Sequence, residues 1–392
     1  MLSLFKKAAC LLMIVTLVFA FTVWGKEAPP IKVGVIQPMT GTNASTARDQ
    51  VNAIKIAVDD INEQGGLLGG RKIQLIIEDD HSIPSDSVSA VRKLISQDKV
   101  IAILGPFNSS CATAVRDITN EEKIPELLVG ASTDSLVVGY PYLFRVNTNN
   151  TQTASAFMRW LIGEKGCKKI SIIYENTDWG LSLYDIAKRN VDELGAVFIV
   201  EEGYNPGTPD FTAVLTKIKY SNQDKIFLAT LVTETAIILR QARDLQMPGS
   251  MFAGFSGTSD SNVPKLAEGA EEGIMFANAW WPENPNNATV KYLVEQVQKR
   301  YPDTPITSFY GQGYGAAITL IDAIKRAGTT DADKLVEAIK TTRIEGVLGD
   351  IYFDENGQNQ GILIAIRRWE NGASILVGLV GATGEVTEVK KD

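Results

Sequence analysis

The sequence is poor in the residues that enzymes and metal proteins most often use for chemistry. It contains one histidine, His81, and three cysteines among 392 residues. Histidine is the commonest general acid or base, and three scattered cysteines do not form a disulfide framework or a metal-binding cluster. His81 follows the acids Glu78 to Asp80, but a few polar residues after an apolar run are typical of an ordinary loop. We therefore predict no enzymatic activity, no metal site and no cofactor.

Long apolar runs and an excess of basic residues are also lacking. The one long apolar run, Ala8 to Trp24, follows two lysines and precedes Gly25, which predicts a secretory signal peptide over residues 1–25. The sequence leaves open whether this segment is cleaved or retained as an anchor. Later segments are too short to span a bilayer. Without residues 1–25 the chain has 36 basic and 46 acidic residues, a net charge of −10, which argues against a nucleic-acid partner.

Two cysteines, Cys111 and Cys167, follow the predicted signal peptide. An oxidising compartment would allow them to pair, but the geometry of a disulfide is strict. We expect the two residues to lie in different lobes of the protein. The sequence therefore favours two free thiols and leaves the pairing open.

From Ile31 onward, short apolar runs alternate with segments in which apolar residues recur every three or four positions. Ile31 to Ile36 is typical of a strand, and Val51, Ile54 and Val58 mark one face of a helix. This alternation predicts parallel sheets covered by helices on both faces. The pattern starts afresh near residue 150, and three helical stretches precede the last strands. We therefore predict an α/β protein with two doubly wound lobes, whose chain returns to the first lobe and finishes in the second.

The stretch Ile101 to Ser110 is the first candidate for a binding site. It reads as a buried strand that ends in Gly-Pro-Phe-Asn-Ser-Ser, followed by a predicted helix from Ser109 to Glu121. The start of a helix offers unpaired backbone N–H groups, and Ser109 and Ser110 add hydroxyl groups, so a carboxylate could bind there. The alternative is that Ser109 only caps its helix.

Five segments together resemble the leucine/isoleucine/valine-binding family of periplasmic solute-binding proteins. The segments are Lys-Val-Gly-Val-Ile-Gln-Pro-Met-Thr-Gly at 32–41, Asp-Asp-Ile-Asn-Glu-Gln-Gly-Gly-Leu-Leu-Gly-Gly-Arg at 59–71, Gly-Pro-Phe-Asn-Ser-Ser at 105–110, Gly-Ala-Ser-Thr at 130–133 and Asp-Phe-Thr-Ala-Val-Leu-Thr-Lys-Ile-Lys at 210–219. The resemblance extends from about Ile31 to the last strands. Each segment alone is a weak signal, and the combination is specific.

The resemblance implies two lobes joined by three crossover segments, near 146–150, 276–282 and 346–354. The first lobe would comprise residues 26–147 and 279–349, and the second lobe residues 148–278 and 350–392. Such proteins close on a small solute held between the lobes. They deliver it to the membrane permease and ATPase subunits of an ABC importer. We accordingly expect a monomeric periplasmic protein that binds a small molecule.

The resemblance also implies which residues contact the solute. Ser109, with Ser110 as a neighbouring alternative, and the loop of Gly130, Ala131 and Ser132 would bind a carboxylate. Trp179, which lies in an Asp-Trp-Gly segment, would cover the solute from the second lobe. Phe107 and Phe255 are further candidates, as apolar side chains against the solute. Arg48 is a candidate cation for binding its carboxylate. A surface role is the alternative for Arg48.

The chain departs from the family pattern where an amino-acid ligand would place its ammonium group. Family members that bind amino acids have an acid in the loop after a second-lobe strand, but here residues 254–258 read Gly-Phe-Ser-Gly-Thr, and Asp260 lies further on. An ammonium group without a carboxylate partner is poorly compensated in a closed cleft. Both an amino acid and an amine-free aromatic or aliphatic carboxylate therefore remain candidate solutes. A ligand-sensing domain of the same fold is the alternative to a transport protein.

Overall fold

The computed structural model describes residues 28–41, 43–279, 287–380 and 386–389, with the backbone alone for 255, 256 and 386–389. The predicted signal peptide and Trp280 to Pro282, which belong to the predicted second crossover, lie outside the described residues. Within them, no helix combines the length and the apolar character needed to cross a membrane.

A five-stranded parallel sheet forms the centre of the first lobe. Its strands are β1 Ile31–Gln37, β2 Ile73–Asp79, β3 Ile103–Leu104, β4 Glu126–Leu128 and β5 Leu143–Arg145. They lie in the order β2-β1-β3-β4-β5, and every neighbouring pair is parallel. Val35 and Ile36 point to opposite faces of β1, and both are fully buried. Burial of both faces is what the continuous apolar runs of the sequence predict.

An eight-stranded sheet forms the centre of the second lobe. Its first five strands are β6 Lys169–Glu175, β7 Val197–Tyr204, β8 Lys225–Ala229, β9 Phe252–Phe255 and β10 Met275–Asn278. Its last three strands are β13 Ile364–Glu370, β14 Ala373–Val380 and β15 Val386–Val389. Between β10 and β13 the chain forms a separate short hairpin of β11 Ile344–Gly346 and β12 Gly349–Ile351. The strand order is β15-β14-β13-β10-β9-β8-β6-β7. The five strands from β6 to β10 are parallel, which confirms the doubly wound arrangement.

The last three strands extend the second sheet in antiparallel fashion, which the predicted parallel pattern did not include. Asn371 and Gly372 connect β13 to β14, and both have positive φ angles, of 50° and 73°. Asn-Gly with two positive φ angles is the preferred two-residue turn of a β-hairpin. Because such a turn reverses the chain at once, β14 can only pair with β13 in the antiparallel direction.

Helices cover both sheets. The helices α1 Ala44–Glu63, α2 Pro84–Lys93 and α3 Ser109–Glu121 follow β1, β2 and β3. Each of the strands β5 to β9 is followed by one of the helices α4 Asn150–Arg159, α5 Asp178–Glu193, α6 Thr212–Lys219, α7 Val232–Asp244 and α8 Val263–Ala267. Single π-helical turns continue α2 over Leu94–Asp98 and α4 over Trp160–Glu164. Short 3₁₀ turns occupy Asp134–Leu136, Gly249–Met251 and Ser256–Ser259.

The chain then returns to the first lobe. The helices of this return are α9 Ala288–Arg300, α10 Ser308–Ala327 and α11 Ala332–Lys340. α10 packs on α1 so closely that a Cβ atom at Gly313 would lie 2.2 Å from the Gln50 carbonyl oxygen. The return to the first lobe and the finish in the second agree with the sequence prediction, whereas the exact lobe boundaries stay a prediction.

Three connections join the lobes. Residues 146–149 lead from β5 to α4, the second connection follows β10, and residues 352–363 lead from β12 to β13. The third lies later than the predicted 346–354, because β12 occupies the start of that range. Asn359 Nδ2 donates to the Val146 carbonyl at 2.9 Å, and Gln358 Nε2 donates to the Asn147 carbonyl at 3.0 Å. These buried amides tie the first connection to the third.

Cys111 and Cys167 are both buried and both free. Burial raises the pKa of Cys111 to about 12, with the neighbouring Asp80 acting in the same direction. The two thiols therefore contribute as small apolar groups in their lobes.

Candidate functional site

A cavity of about 360 Å³ lies between the two lobes, at the carboxyl ends of their parallel strands. Its volume lies within the range of small-molecule sites, and the carboxyl edge of parallel sheets is where α/β proteins usually bind ligands. From the first lobe it is lined by Asn43, Ser82, Pro84, Phe107, Asn108, Ser109, Ser110, Gly130, Ser132, Ser308, Phe309 and Gln312. From the first connection and the second lobe it is lined by Asn147, Thr148, Asn150, Thr153, Glu175, Thr177, Trp179, Pro206, Leu231, Ser259, Ala277, Asn278 and Ala279.

Ser109 lies at the cavity and connects two loops of the first lobe. It is the first residue of α3, and Asn108 before it makes no side-chain cap. Ser109 Oγ accepts hydrogen bonds from the backbone N–H groups of Ser132 at 3.1 Å and Thr133 at 3.3 Å. These bonds go to a different loop, so the interpretation of Ser109 as a cap of its own helix is wrong. With both acceptor positions used, the hydroxyl hydrogen is the group that can donate to a solute.

The loop after β4 approaches the loop after β3 through a glycine. Gly130 has a φ of +117°, and a Cβ atom there would lie 2.5 Å from a ring carbon of Phe107. Phe107 lines the cavity and contacts Phe309 edge-on, with 6.0 Å between the ring centres. Gly130, Ser132, Ser109, Ser110 and Phe107 are thus brought together as predicted.

Ser132 is also linked to the second lobe. Its hydroxyl donates to Asn150 Oδ1 at 2.8 Å, and Asn150 Nδ2 donates to the Trp179 carbonyl at 3.3 Å. Asn150 is buried at the start of α4, after Asn149, whose side chain caps that helix together with Gln152. The sequence did not predict a role for Asn150, although Asn149 and Asn150 at the start of a helix are a recognisable start signal.

A buried cation lies behind the same loop. Arg145 is fully buried and donates to the carbonyls of Ser132 at 3.2 Å and Thr133 at 2.7 Å. Burial lowers the pKa of Arg145 to about 10, so the guanidinium stays charged at neutral pH. The sequence analysis missed this residue because it ends an ordinary apolar run.

Trp179 lines the cavity from the second lobe, in the first turn of α5. Thr177 begins this helix by accepting a hydrogen bond from the Gly180 N–H at 3.3 Å. A Cβ atom at Gly180 would lie 2.0 Å from the Glu175 carbonyl oxygen. Glycine therefore allows the helix to start directly at the end of β6 and places Trp179 over the cavity.

Glu175 is an acid in the cavity wall that the sequence analysis missed. It ends β6, is 4% exposed, and its Oε2 accepts from Thr177 Oγ1 at 3.0 Å. Burial, with Glu234 acting in the same direction, raises the pKa of Glu175 to about 7. The available signal was an acid as the last residue of a largely apolar strand, at the sheet edge where binding sites form.

Two predicted residues lie away from the cavity. Arg48 is exposed on α1, because the helical period that buries Ala47 and Val51 directs position 48 to solvent. Ala131 packs in the first-lobe core with Leu128, since side chains along an extended segment alternate between faces. Both are corrections to the predicted site. The side chain of Phe255, the last residue of β9, lies outside the described part of the chain.

Asp260, the acid nearest to the expected ammonium site, contacts the first lobe. It is 1% exposed, and its Oδ2 accepts from Thr46 Oγ1 of α1 at 3.4 Å. Its Oδ1 accepts from the backbone N–H of Asn262 at 2.8 Å. Burial raises the pKa of Asp260. Asp260 is absent from the described cavity wall and serves instead as a contact between the lobes.

Two α/β lobes that enclose a solute-sized cavity define a binding protein that closes around its ligand. A family model described as periplasmic binding protein matches residues 30–373. The chain therefore belongs to the periplasmic binding proteins, and the family and fold expected from the sequence are confirmed. Members of this family are periplasmic and act as binding proteins rather than enzymes.

Individual relatives are distant but cover nearly the whole chain. Leu/Ile/Val-binding protein homolog 1 of Brucella suis is 28% identical over 351 residues, which are 89% of this chain and 93% of the relative. The structure of the leucine-binding protein LivK from Thermotoga maritima superposes with a TM-score of 0.83 at 26% identity, covering 90% and 99% of the two chains. A solute-binding protein of an ABC transporter from Rhodopseudomonas palustris, in complex with 3,4-dihydroxybenzoic acid, has a TM-score of 0.81 at 25% identity and covers 90% and 98%.

Proposed function

We propose that this protein is the periplasmic substrate-binding protein of an ABC importer and that it holds a small carboxylate-bearing solute between its lobes. The observation that carries the proposal is the set of donors at one end of the cavity, where the Ser109 and Ser110 hydroxyls lie at the first turn of α3 and the Ser132 loop holds Ser109 in place. A small anion needs several fixed donors, and a helix N-terminus favours negative charge. The Arg145 guanidinium adds positive charge behind the Ser132 loop.

Its relatives are consistent with this chemistry. LivK is described as a leucine-binding protein, and the Rhodopseudomonas protein is in complex with 3,4-dihydroxybenzoic acid. Leucine and dihydroxybenzoate share a carboxylate and differ in the rest of the molecule, which supports a carboxylate as the common chemistry of the solutes. The predicted signal peptide fits export to the periplasm, where the protein as a monomer would meet the permease and ATPase subunits.

Calorimetric titration tests this function. We expect wild-type protein to bind at least one member of a panel of amino acids and amine-free carboxylates. Ser109→Ala should weaken that binding by about 1–3 kcal/mol, because it removes a hydrogen bond to a charged group. The control is Ser89→Ala, which changes an exposed serine of α2 that donates to the Ser85 carbonyl at 3.0 Å and should leave affinity unchanged. Unchanged affinity in Ser109→Ala would refute the carboxylate site.

A further inference from the structure

Among the described residues that line the cavity, Glu175 is the only one with an acidic or basic side chain. Glu175 as a whole residue is 4% exposed. Within the described part of the chain, Thr177 alone donates a hydrogen bond to it, to Oε2 at 3.0 Å, and no lysine or arginine pairs with it. Glu175 thus lines the cavity with a single hydrogen bond to its carboxyl group among the described residues.

A second acid increases the need for a cation on this side of the cavity. Glu234 of α7 is also 4% exposed, and its Oε1 accepts from the Gly207 N–H at 3.2 Å. Burial, together with the unfavourable interaction between these two carboxyls, raises the pKa of Glu175. Arg145, the buried guanidinium near the cavity, donates to the Ser132 and Thr133 carbonyls of the first lobe instead.

The charges of the cavity thus differ between its two walls. The first-lobe wall offers hydroxyl and N–H donors with Arg145 behind them, whereas the second-lobe wall offers a buried carboxylate. Above the raised pKa of Glu175, where its carboxyl is ionised, a solute with a carboxylate alone would bring a second negative charge into the cavity beside it. Buried charges are stabilised when they are paired, so a solute with a positive nitrogen opposite its carboxylate fits both walls.

We propose that Glu175 binds a cationic nitrogen of the solute, so that the protein selects solutes with a protonated amine over amine-free carboxylates. The inference rests on the proposed function, because it takes the carboxylate to be held at Ser109. Glu175, the last residue of β6, would thereby provide the carboxylate partner for an ammonium group that the loop after β9 lacks. The solutes selected are zwitterions, with the carboxylate toward the first-lobe wall and the ammonium group toward the second-lobe wall.

Calorimetry with matched pairs of solutes tests this selection. The pairs are L-leucine with isocaproate, L-alanine with propionate and L-phenylalanine with hydrocinnamate, whose members differ only in the amino group. For the pair whose side chain fits, wild-type protein should bind the amino acid at least about tenfold more tightly. Glu175→Gln should reduce that ratio to about one. Glu193→Gln, at the exposed end of α5, is the control and should keep the wild-type ratio.

Proton release provides a second measurement on wild-type protein alone. At pH 6 the raised pKa of Glu175 keeps the free carboxyl mostly protonated, and an ammonium partner lowers that pKa. Binding of the amino acid should therefore release a proton, seen as a dependence of the binding enthalpy on the ionisation enthalpy of the buffer. Glu175→Gln should lose this dependence.

The outcomes separate the selection from the proposed function. If the amine-free member of a pair binds wild-type protein as tightly as the amino acid, or if Glu175→Gln keeps the discrimination, the role of Glu175 is overturned while the carboxylate site stands. If no member of any pair binds, the proposed function fails and this inference fails with it.

Discussion

Arg145 shows how a buried charge can shape a binding site without touching the ligand. Its guanidinium satisfies two carbonyls of the loop that carries Ser132, and that loop in turn donates two N–H groups to Ser109. The three residues therefore hold one another in place. A guanidinium suits this task because its planar donors can reach two carbonyls at once.

We expect Arg145→Met to destabilise the protein and to weaken solute binding. The substitution removes two charge-assisted hydrogen bonds and leaves the Ser132 and Thr133 carbonyls with only the N–H groups of Asn150 and Leu136, which costs about 1–3 kcal/mol in the free energy of unfolding. Denaturant unfolding and calorimetry measure the two effects. Arg48→Met, at the exposed position on α1, is the control and should change stability by less than about 0.5 kcal/mol. Wild-type stability and affinity in Arg145→Met would show that the loop holds its shape unaided.

The site residues differ in how well sequence reasoning could find them. Ser109 was predictable, because an apolar run that ends before a helix start puts its hydroxyl at the edge of a sheet. Glu175 and Asn150 were not, because their role depends on which residues of the two lobes face each other. Arg48 was predicted from its position near an expected contact, and the helical period directs it to solvent.

Strand β4 carries an unusual residue for the centre of a sheet. Glu126 is fully buried between neighbours Ile103 and Leu143. Its Oε2 accepts from Thr119 Oγ1 at 2.5 Å, and its Oε1 has no partner among the described residues. Burial raises the pKa of Glu126 to about 8, so the folded protein holds this carboxyl protonated at neutral pH.

This carboxyl should make stability depend on pH. Between the unfolded pKa of about 4.5 and the folded pKa of about 8, the folded state binds more protons than the unfolded state. The free energy of unfolding therefore falls as pH rises through that window, by up to about 1.4 kcal/mol per pH unit for one group. Glu126→Gln should flatten this decline in denaturant unfolding at pH 5 to 8, whereas Glu121→Gln, at the exposed end of α3, should keep it. An equal slope in Glu126→Gln would mean that the carboxyl ionises without cost.

The elements themselves were largely predictable, and their pairing was less so. The predicted helix from Ser109 to Glu121 coincides with α3, because its apolar residues recur with helical spacing. The antiparallel end of the second sheet was missed, although the Asn371-Gly372 turn that causes it stands in the sequence. A strand prediction made from apolar runs alone ignores the turn between two runs, and the turn decides their relative direction.

At the scale of the whole molecule, the two lobes contact each other both at their connections and away from them. Buried side-chain amides of Gln358 and Asn359 bind the first connection at the carbonyls of Val146 and Asn147. Far from these connections in sequence, the lobes meet through the bond from Thr46 to Asp260. A solute in the cavity adds contacts to both walls, and it thereby favours the closed arrangement over an open one.

A crystal structure of the protein with a solute that calorimetry shows to bind tests the carboxylate site most directly. We expect the solute between the lobes, with a carboxylate oxygen at hydrogen-bond distance, about 2.5–3.2 Å, from Ser109 Oγ and with Trp179 against its other side. A solute bound outside this cavity, or one that lies in it with its carboxylate directed away from Ser109, would contradict the proposed function.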